Sequence, residues 1–270
     1  MADKPLTKPL TSAAESLITA YATRCPIPPL VETIASLTVR QAYDIQLEQV
    51  GRWAEGGRVV RGHKVGLTSA VMQRQLGVNQ PDYGHLFADM FRLASTPIDI
   101  DEFICPRIEP EIAFVLKRDL SGPNVTVAEA LRAVDYVLPA LEIIDSRIVD
   151  WRITLCDTIA DNASSAAVVL GTKPTKIDRL DLRLAGCVLD IGGEVVATGA
   201  GAAVLGAPLN ALVWLANVLG DLGIWLEAGS VVLPGSLTES IPIAPGCVSA
   251  SFTDIGSVTA LFTKNGEQHL

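Results

Sequence analysis

The sequence predicts an α+β fold in which a β-rich domain over residues 59–270 follows a small helical region over residues 1–58. Three observations carry that expectation. The opening stretch holds amphipathic runs preceded by capping-box spacings; from Val59 the apolar pattern shifts to short β-branched runs; and the second half contains two such runs flanking a Gly-Gly pair.

The elements follow in order. Ser12-x-x-Glu15 and Thr38-x-x-Gln41 each set an N-cap acceptor three residues ahead of a partner, so two helices are expected, separated by Pro26, Pro28 and Pro29. Residues 59–67 read as a strand and residues 69–76 as a short helix stopped at Gly77. Residues 79–84, Asn-Gln-Pro-Asp-Tyr-Gly, are dense in turn formers and read as a loop. An acidic strand comes next, then a helix opened by Thr126-x-x-Glu129 and expected to run through Val137, then a strand carrying Glu142. Residues 187–191 and 194–198 flank Gly192-Gly193 as a hairpin. Pro208, followed by Leu212, Leu215, Val218 and Leu219, predicts a helix ending near Gly223. Residues 231–233, 248–252 and 258–262 are expected to finish the sheet, the last two joined across residues 253–256.

Composition narrows the function. With 270 residues, 49% of them apolar and 19% charged, the chain can bury a sizeable core. A net charge of −9 repels polyphosphate backbones, and no Lys/Arg cluster overrides it, so nucleic-acid binding is not expected. No apolar run reaches the roughly 18 to 20 residues of a membrane helix, and the first residues lack an apolar signal core, which predicts a cytoplasmic protein. Five scattered cysteines without Cys-x-x-Cys spacing suggest neither a zinc cage nor a disulfide framework. Of three histidines, His269 is in the terminal tail and no His-Glu-x-x-His occurs, so any metal must be held mainly by oxygen.

The acids supply that oxygen. Glu109 and Glu111 stand two apart in Arg-Ile-Glu-Pro-Glu-Ile-Ala-Phe-Val-Leu, so in a strand they share a face while Ile108, Pro110, Ile112 and Phe114 pack the other. Glu142 lies within Leu-Pro-Ala-Leu-Glu-Ile-Ile, followed by Asp145, Ser146 and Arg147. Clustered buried carboxylates cost several kcal/mol or force protonation, and a hard cation such as Mg²⁺ or Mn²⁺ compensates them. Alternation on a solvent-facing strand would give the same Glu-x-Glu spacing. Lys64 sits between Gly62 and Gly66, which permit close approach of a ligand; a surface lysine is the alternative. It is no Walker lysine, since Gly-Lys-Ser/Thr is absent. Gly199-Ala-Gly201 departs from the dinucleotide fingerprint, with Val204 in place of its third glycine, and reads as a packing turn. In residues 157–165 an amide and hydroxyls precede an apolar run, which loop capping explains equally well. No Gly-x-Ser-x-Gly elbow is present to make a serine nucleophile with His63 or His85.

Five ordered segments carry a family likeness: Lys64-Val-Gly-Leu-Thr-Ser, Gln80-Pro-Asp-Tyr-Gly-His-Leu-Phe-Ala-Asp-Met, Pro106-Arg-Ile-Glu-Pro-Glu-Ile-Ala, Pro139-Ala-Leu-Glu-Ile-Ile-Asp-Ser-Arg and Ala160-Asp-Asn-Ala-Ser-Ser. Over residues 40–262 the chain resembles the hydratase/decarboxylase family of aromatic meta-cleavage pathways, within the fumarylacetoacetate hydrolase superfamily. The resemblance implies a β-rich fumarylacetoacetate-hydrolase-like domain and a Mg²⁺ or Mn²⁺ ion on Glu109, Glu111 and Glu142. It implies Lys64 and Asp82 as catalytic groups, and places Leu67 and Ser164, both within its motifs, as substrate-binding residues. The activity implied is hydration of a 2-hydroxy-2,4-dienoate to a 4-hydroxy-2-oxo acid. The alternatives are decarboxylation of a 4-oxalocrotonate-type 2-oxo-3-enedioate and a noncatalytic companion subunit. Homo-oligomeric assembly and association with a neighbouring pathway enzyme are implied as well. One segment departs from the pattern: residues 234–242, Pro-Gly-Ser-Leu-Thr-Glu-Ser-Ile-Pro, replace the Gly-Ala-Leu-Gly-Pro-Met-like segment of many pentadienoate hydratases. This tract is closer to hydratases of longer or dicarboxylic dienoates, although Glu239 would repel a second substrate carboxylate.

Overall fold

The computed structural model describes residues 6–264; His269 and the first residues of the chain lie outside them. Three helices come first: α1 (Lys8–Thr23), α2 (Leu30–Thr33) and α3 (Val39–Glu55). Then follow β1 (Val60–Gly66), α4 (Ala70–Leu76), β2 (Asp82–Phe87), β3 (Phe91–Arg92), β4 (Ile98–Asp99), β5 (Arg107–Leu116), α5 (Val127–Ala133), β6 (Val134–Ile144), α6 (Leu155–Ala160) and β7 (Ser165–Leu170). The chain continues with β8 (Gly186–Ile191), β9 (Glu194–Ala200), α7 (Pro208–Asp221), β10 (Val231–Leu233), β11 (Ile241–Pro242), β12 (Gly246–Phe252) and β13 (Gly256–Thr263). The mixture of helices and strands is the α+β class expected.

Local signals account for most boundaries. Thr38 with Gln41, and Thr126 with Glu129, form full capping boxes at α3 and α5. Ser69 caps α4, and Gly77 ends it in the left-handed region. Ser12 does not open a helix: α1 begins at Lys8 with a proline in its first turn, and Ser12 lies inside it, its carbonyl accepting from the Ser16 hydroxyl. The helix opened at Thr126 stops at Ala133 instead of running to Val137, because Val134, Tyr136 and Val137 pair with the end of β5 across a bulge. Backbone pairing on a buried sheet overrides helix spacing there. Residues 82–84 are strand, not loop: Asp82, Tyr83 and Gly84 pair with Gly66, Val65 and Lys64 of β1.

Among the described residues the strands form two sheets, not the single one expected. The larger runs β2-β1-β10-β5-β6-β7-β3, with β11 added on β5; the smaller runs β4-β13-β12-β8-β9. β10 joins the larger sheet because Gly62 lets β1 approach it: a Cβ at Gly62 would fall 2.0 Å from the Val231 carbonyl oxygen. The central β5–β6 pair presents Ile108, Ile112, Phe114, Leu141 and Ile143 to a core shared with Val248, Ala250 and Phe262 of the smaller sheet and Leu212, Leu215 and Leu219 of α7. Its opposite face carries Ala113 and Ala140, packed with Leu86, Phe87, Met90 and Leu233. The N-terminal helices bury Leu10, Leu17, Ala42 and Ile45 in a separate cluster with Ile148, Ile159 and Ala160. That cluster ties α1 and α3 to the segment that follows β6.

By length and composition alone, the span Gly201–Asp221 is apolar enough to cross a membrane, contrary to the expectation from sequence. It is not one continuous helix. A 3-10 turn over Gly201–Ala203 and positive φ at Leu205 and Gly206 precede α7, whose 14 residues reach only about 21 Å at 1.5 Å per residue. The buried side of α7 is part of the core described above. Gly199 and Gly201 are packing glycines as expected, since a Cβ there would strike the Leu237 and Leu182 carbonyls at 1.9 and 1.8 Å.

Candidate metal and active site

Strand register assembles the acids. Glu109 of β5 lies directly opposite Glu142 of β6, and Glu111 follows two residues on along the same face. One carboxylate oxygen from each of the three lies within 4.8 Å of the others. They occupy the sheet face turned away from the smaller sheet. Glu111 and Glu142 are fully buried, whereas Glu109 is partly exposed and gives the trio an open edge. Glu111 Oε2 accepts a hydrogen bond from the Gly235 N–H at 2.7 Å. Among the described residues, Glu111 Oε1 and both Glu142 carboxylate oxygens are buried without a hydrogen-bond partner. Buried anionic oxygens in that state cost far more than a missing bond to a neutral group, so the donor set fits a hard cation.

Lys64 and Asp82 meet beside the trio. Lys64 Nζ lies 3.4 Å from Glu142 Oε1, close enough for an ion pair, and donates to the Ala163 carbonyl at 3.1 Å. Gly66 explains how both groups fit: a Cβ there would fall 2.1 Å from Asp82 Oδ1 and 3.5 Å from Lys64 Nζ. The two glycines around Lys64 therefore make room for β10 and for Asp82, not for a ligand against the backbone. Asp82 is 1% exposed, and neither of its oxygens has a hydrogen-bond partner among the described residues.

The electrostatics follow from burial. Desolvation pushes the Glu109 carboxyl up to about 7, with Lys64 opposing and Glu142 reinforcing the rise. Burial raises Glu111 well above the ordinary carboxylate range, and the nearby Glu142 and Glu109 charges add to it. Glu142 and Asp82 are also raised by burial, each moderated by the Lys64 charge. For Lys64, burial alone would lower the pKa, but Glu142, Glu109, Asp82 and Glu111 outweigh it and hold the ammonium charged.

Ser164 lies in a turn facing this cluster. Residues 162–164 form a 3-10 turn in which Asn162, Ala163 and Ser164 all have positive φ, between 50° and 54°. The Ser164 hydroxyl sits 3.4 Å from that of Thr158, and its carbonyl accepts from the Asp145 N–H. Leu67, one residue past β1, also has positive φ (54°), and its carbonyl accepts from Gln73 Nε2 at 2.8 Å. Next to it, Thr68 packs against Gly235, whose N–H serves Glu111. His63 and His85 stand opposite each other on the other face of β1 and β2, ring centroids 4.9 Å apart. Burial drives both below the ordinary imidazole range, His85 to about 4, so they are neutral core groups.

Several contributors lack a readable sequence signal. The Ala163 carbonyl and Gly235 N–H act through backbone, and the glycine at 235 is explained by its φ of 119° and by Thr68, whose Oγ1 would lie 2.1 Å from a Cβ there. Arg147 is 2% exposed; it donates to Asp161 through its backbone N–H and through Nε at 2.6 Å, tying the end of β6 to the turn. Asp145 accepts from the Ile104 and Cys105 N–H groups just ahead of β5. The polar crowding at residues 145–147 is thus a brace behind the site.

Residues 65–262 match the fumarylacetoacetate (FAA) hydrolase C-terminal family. The chain is similar to a 2-keto-4-pentenoate hydratase of Paraburkholderia xenovorans, 48% identical over 94% of each sequence. It is 44% identical to the TodF product hydratase of Pseudomonas putida, over 97% of this chain and 98% of that one. Among solved structures it resembles 4-oxalocrotonate decarboxylase of Pseudomonas putida G7 complexed with magnesium and adipate, with a TM-score of 0.92, 35% identity and coverage of 97% and 100%.

Proposed function

We infer the reaction from one premise: the chain belongs to the fumarylacetoacetate hydrolase C-terminal family and is a hydro-lyase of the 2-keto-4-pentenoate hydratase type. Its substrate is a 2-hydroxy-2,4-dienoate, and its product a 4-hydroxy-2-oxo acid. The observation that carries the assignment to this site is the converging carboxylate trio with orphaned oxygens, placed against a charged lysine. A divalent cation, Mg²⁺ or Mn²⁺, held by Glu109, Glu111 and Glu142 would supply Lewis-acid polarisation of the substrate's C2 oxygen. The magnesium in the related decarboxylase structure supports that reading.

The reaction balances as a tautomerisation followed by one addition of water. The C2 hydroxyl gives up its proton and C5 gains one, leaving a 2-oxo-3-enoate; water oxygen then bonds C4, its proton departs, and C3 is protonated. Lys64, fixed by the Ala163 carbonyl and Glu142, stabilises negative charge on the C1 carboxylate and C2 oxygen. Asp82, buried and raised by that burial, moves the protons. Leu67 and Ser164 contact the substrate from the end of β1 and from the left-handed turn.

Purified protein with Mg²⁺ and 2-hydroxypenta-2,4-dienoate should lose the dienol absorbance and form a product heavier by one water. Carbon dioxide release from 4-oxalocrotonate without hydration would instead support the decarboxylase, and silence with both substrates a companion subunit. We extend the reading to a homo-oligomer working in the cytoplasm, which sedimentation and cell fractionation measure.

Cation binding should also be linked to protons. The trio holds protons more tightly than free carboxylates, so a bound cation displaces them, and its apparent affinity rises as pH climbs through about 7, the value reached by Glu109. Calorimetric Mg²⁺ titrations in buffers of different ionisation enthalpy should show release of about one proton near neutrality. An affinity unchanged between about pH 6 and 8 would count against these ligands.

A further inference from the structure

Three consecutive non-glycine residues in the left-handed region, all buried, are unusual enough to need a cause. The largest constraint comes from the Asn162 side chain. Its Oδ1 accepts from the His85 N–H at 2.7 Å, and its Nδ2 donates to the His85 carbonyl at 2.9 Å. β2 is the outermost strand of its sheet, so this amide occupies the position that a further strand would fill. The turn presses directly on that edge: a Cβ at Gly84 would fall 2.3 Å from the Asn162 carbonyl oxygen. Gly84 is the register partner of Lys64, and its missing side chain leaves the space that the Asn162 carbonyl and Ser165 Oγ occupy. Ser165 Oγ donates to the Asn162 carbonyl at 2.8 Å and locks the far side.

We propose that Asn162 is a positioning residue: its amide clamps the left-handed turn onto the edge of β2, so that the Ala163 carbonyl holds the Lys64 ammonium beside the carboxylate trio. This rests on the hydratase reading for its kinetic consequence but not for its structural one. Asn162 touches neither the trio nor Asp82 through any described hydrogen bond. Its effect passes through Ala163 and Lys64.

The test is a cycle of Asn162→Gly, Lys64→Met and the double variant. Glycine keeps the tolerance for positive φ and removes only the clamp. Asn162→Gly should lower kcat by about 100-fold, the cost of displacing a catalytic group by about 1 Å. KM should stay near wild type, Mg²⁺ affinity should tighten but no more than in Lys64→Met, and the double variant should be no slower than Lys64→Met. A crystal structure of metal-free Asn162→Gly should show Nζ withdrawn from the Ala163 carbonyl and from Glu142. The proposal is overturned if Asn162→Gly retains wild-type kcat, if the two losses multiply in the double variant, or if the Lys64 contacts survive in the crystal. If Asn162→Gly does not fold, Asn162→Asp keeps the acceptor for the His85 N–H, loses the donor and takes its place in the cycle. Absence of hydration by the wild type would defeat the functional reading alone, since the crystallographic result still decides the clamp.

Discussion

Replacing Glu111 by glutamine should abolish metal-dependent hydration while leaving a metal-free protein at least as stable as the wild type. Glu111 is fully buried beside the Glu109–Glu142 pair; its Oε2 accepts from the Gly235 N–H, and its Oε1 has no hydrogen-bond partner among the described residues. Removing even an outer-sphere partner of a metal ligand costs 10- to 100-fold, so losing one of the ligands itself should cost on the order of 1,000-fold or more in kcat/KM. Stability should move the other way. Burial and the neighbouring carboxylates raise the Glu111 pKa in the folded state, so the protein's preference for its protonated form is fully present below the unfolded pKa and lost as pH rises through the folded one. Glutamine removes that penalty, so the melting temperature of Glu111→Gln relative to metal-free wild type should grow as pH rises from the ordinary carboxylate range upward. Differential scanning calorimetry after chelation, followed by assay with Mg²⁺ restored, measures both. Full activity in the variant would eliminate Glu111 as a ligand; a lower melting temperature above that range would mean that the trio is not strained without a cation.

That opposition between stability and function explains what was legible in the sequence. The acids stood out because Glu109, Glu111 and Glu142 interrupt apolar strands, and a period of two was enough to put Glu109 and Glu111 on one face. The cross-strand pairing of Glu109 with Glu142 needed the β5–β6 register, which no local pattern states. Lys64 was legible only as a lysine between glycines, and the purpose of those glycines was misread: Gly62 admits the β10 backbone and Gly66 admits Asp82. Asp82 looked like a turn residue after Pro81, because strand pairing across β1 is a long-range fact that turn propensity cannot anticipate. The division into two sheets was hidden for the same reason, since residues 231–233 and 248–252 both read as strand but find different partners. Hairpin and capping signals, which act over a few residues, fared better at Gly192-Gly193, Thr38 and Thr126.

Lys64→Met should separate cation binding from turnover. The lysine is 4% exposed, and its ammonium carries the positive charge nearest the trio, 3.4 Å from Glu142 Oε1. For a developing anion on the substrate this charge is a fixed, desolvated stabiliser, so its loss should lower kcat by about 100- to 1,000-fold. For a divalent ion on the same carboxylates it is a repulsive neighbour. At an effective dielectric near 20, charges a few ångströms apart interact by several kcal/mol, and after relaxation Mg²⁺ affinity should still tighten by about tenfold. Without metal, the variant leaves Glu142 buried and unpaired, a change that costs about 3–5 kcal/mol in comparable buried pairs. Its melting temperature should therefore fall after chelation and recover with Mg²⁺ more than that of the wild type. Calorimetric Mg²⁺ titration, thermal melts with and without the ion, and steady-state hydration read the three quantities independently. If turnover and Mg²⁺ affinity collapsed together, Lys64 would be a prop for the acids and not a stabiliser of the reacting anion. Unchanged kcat would remove it from the chemistry altogether.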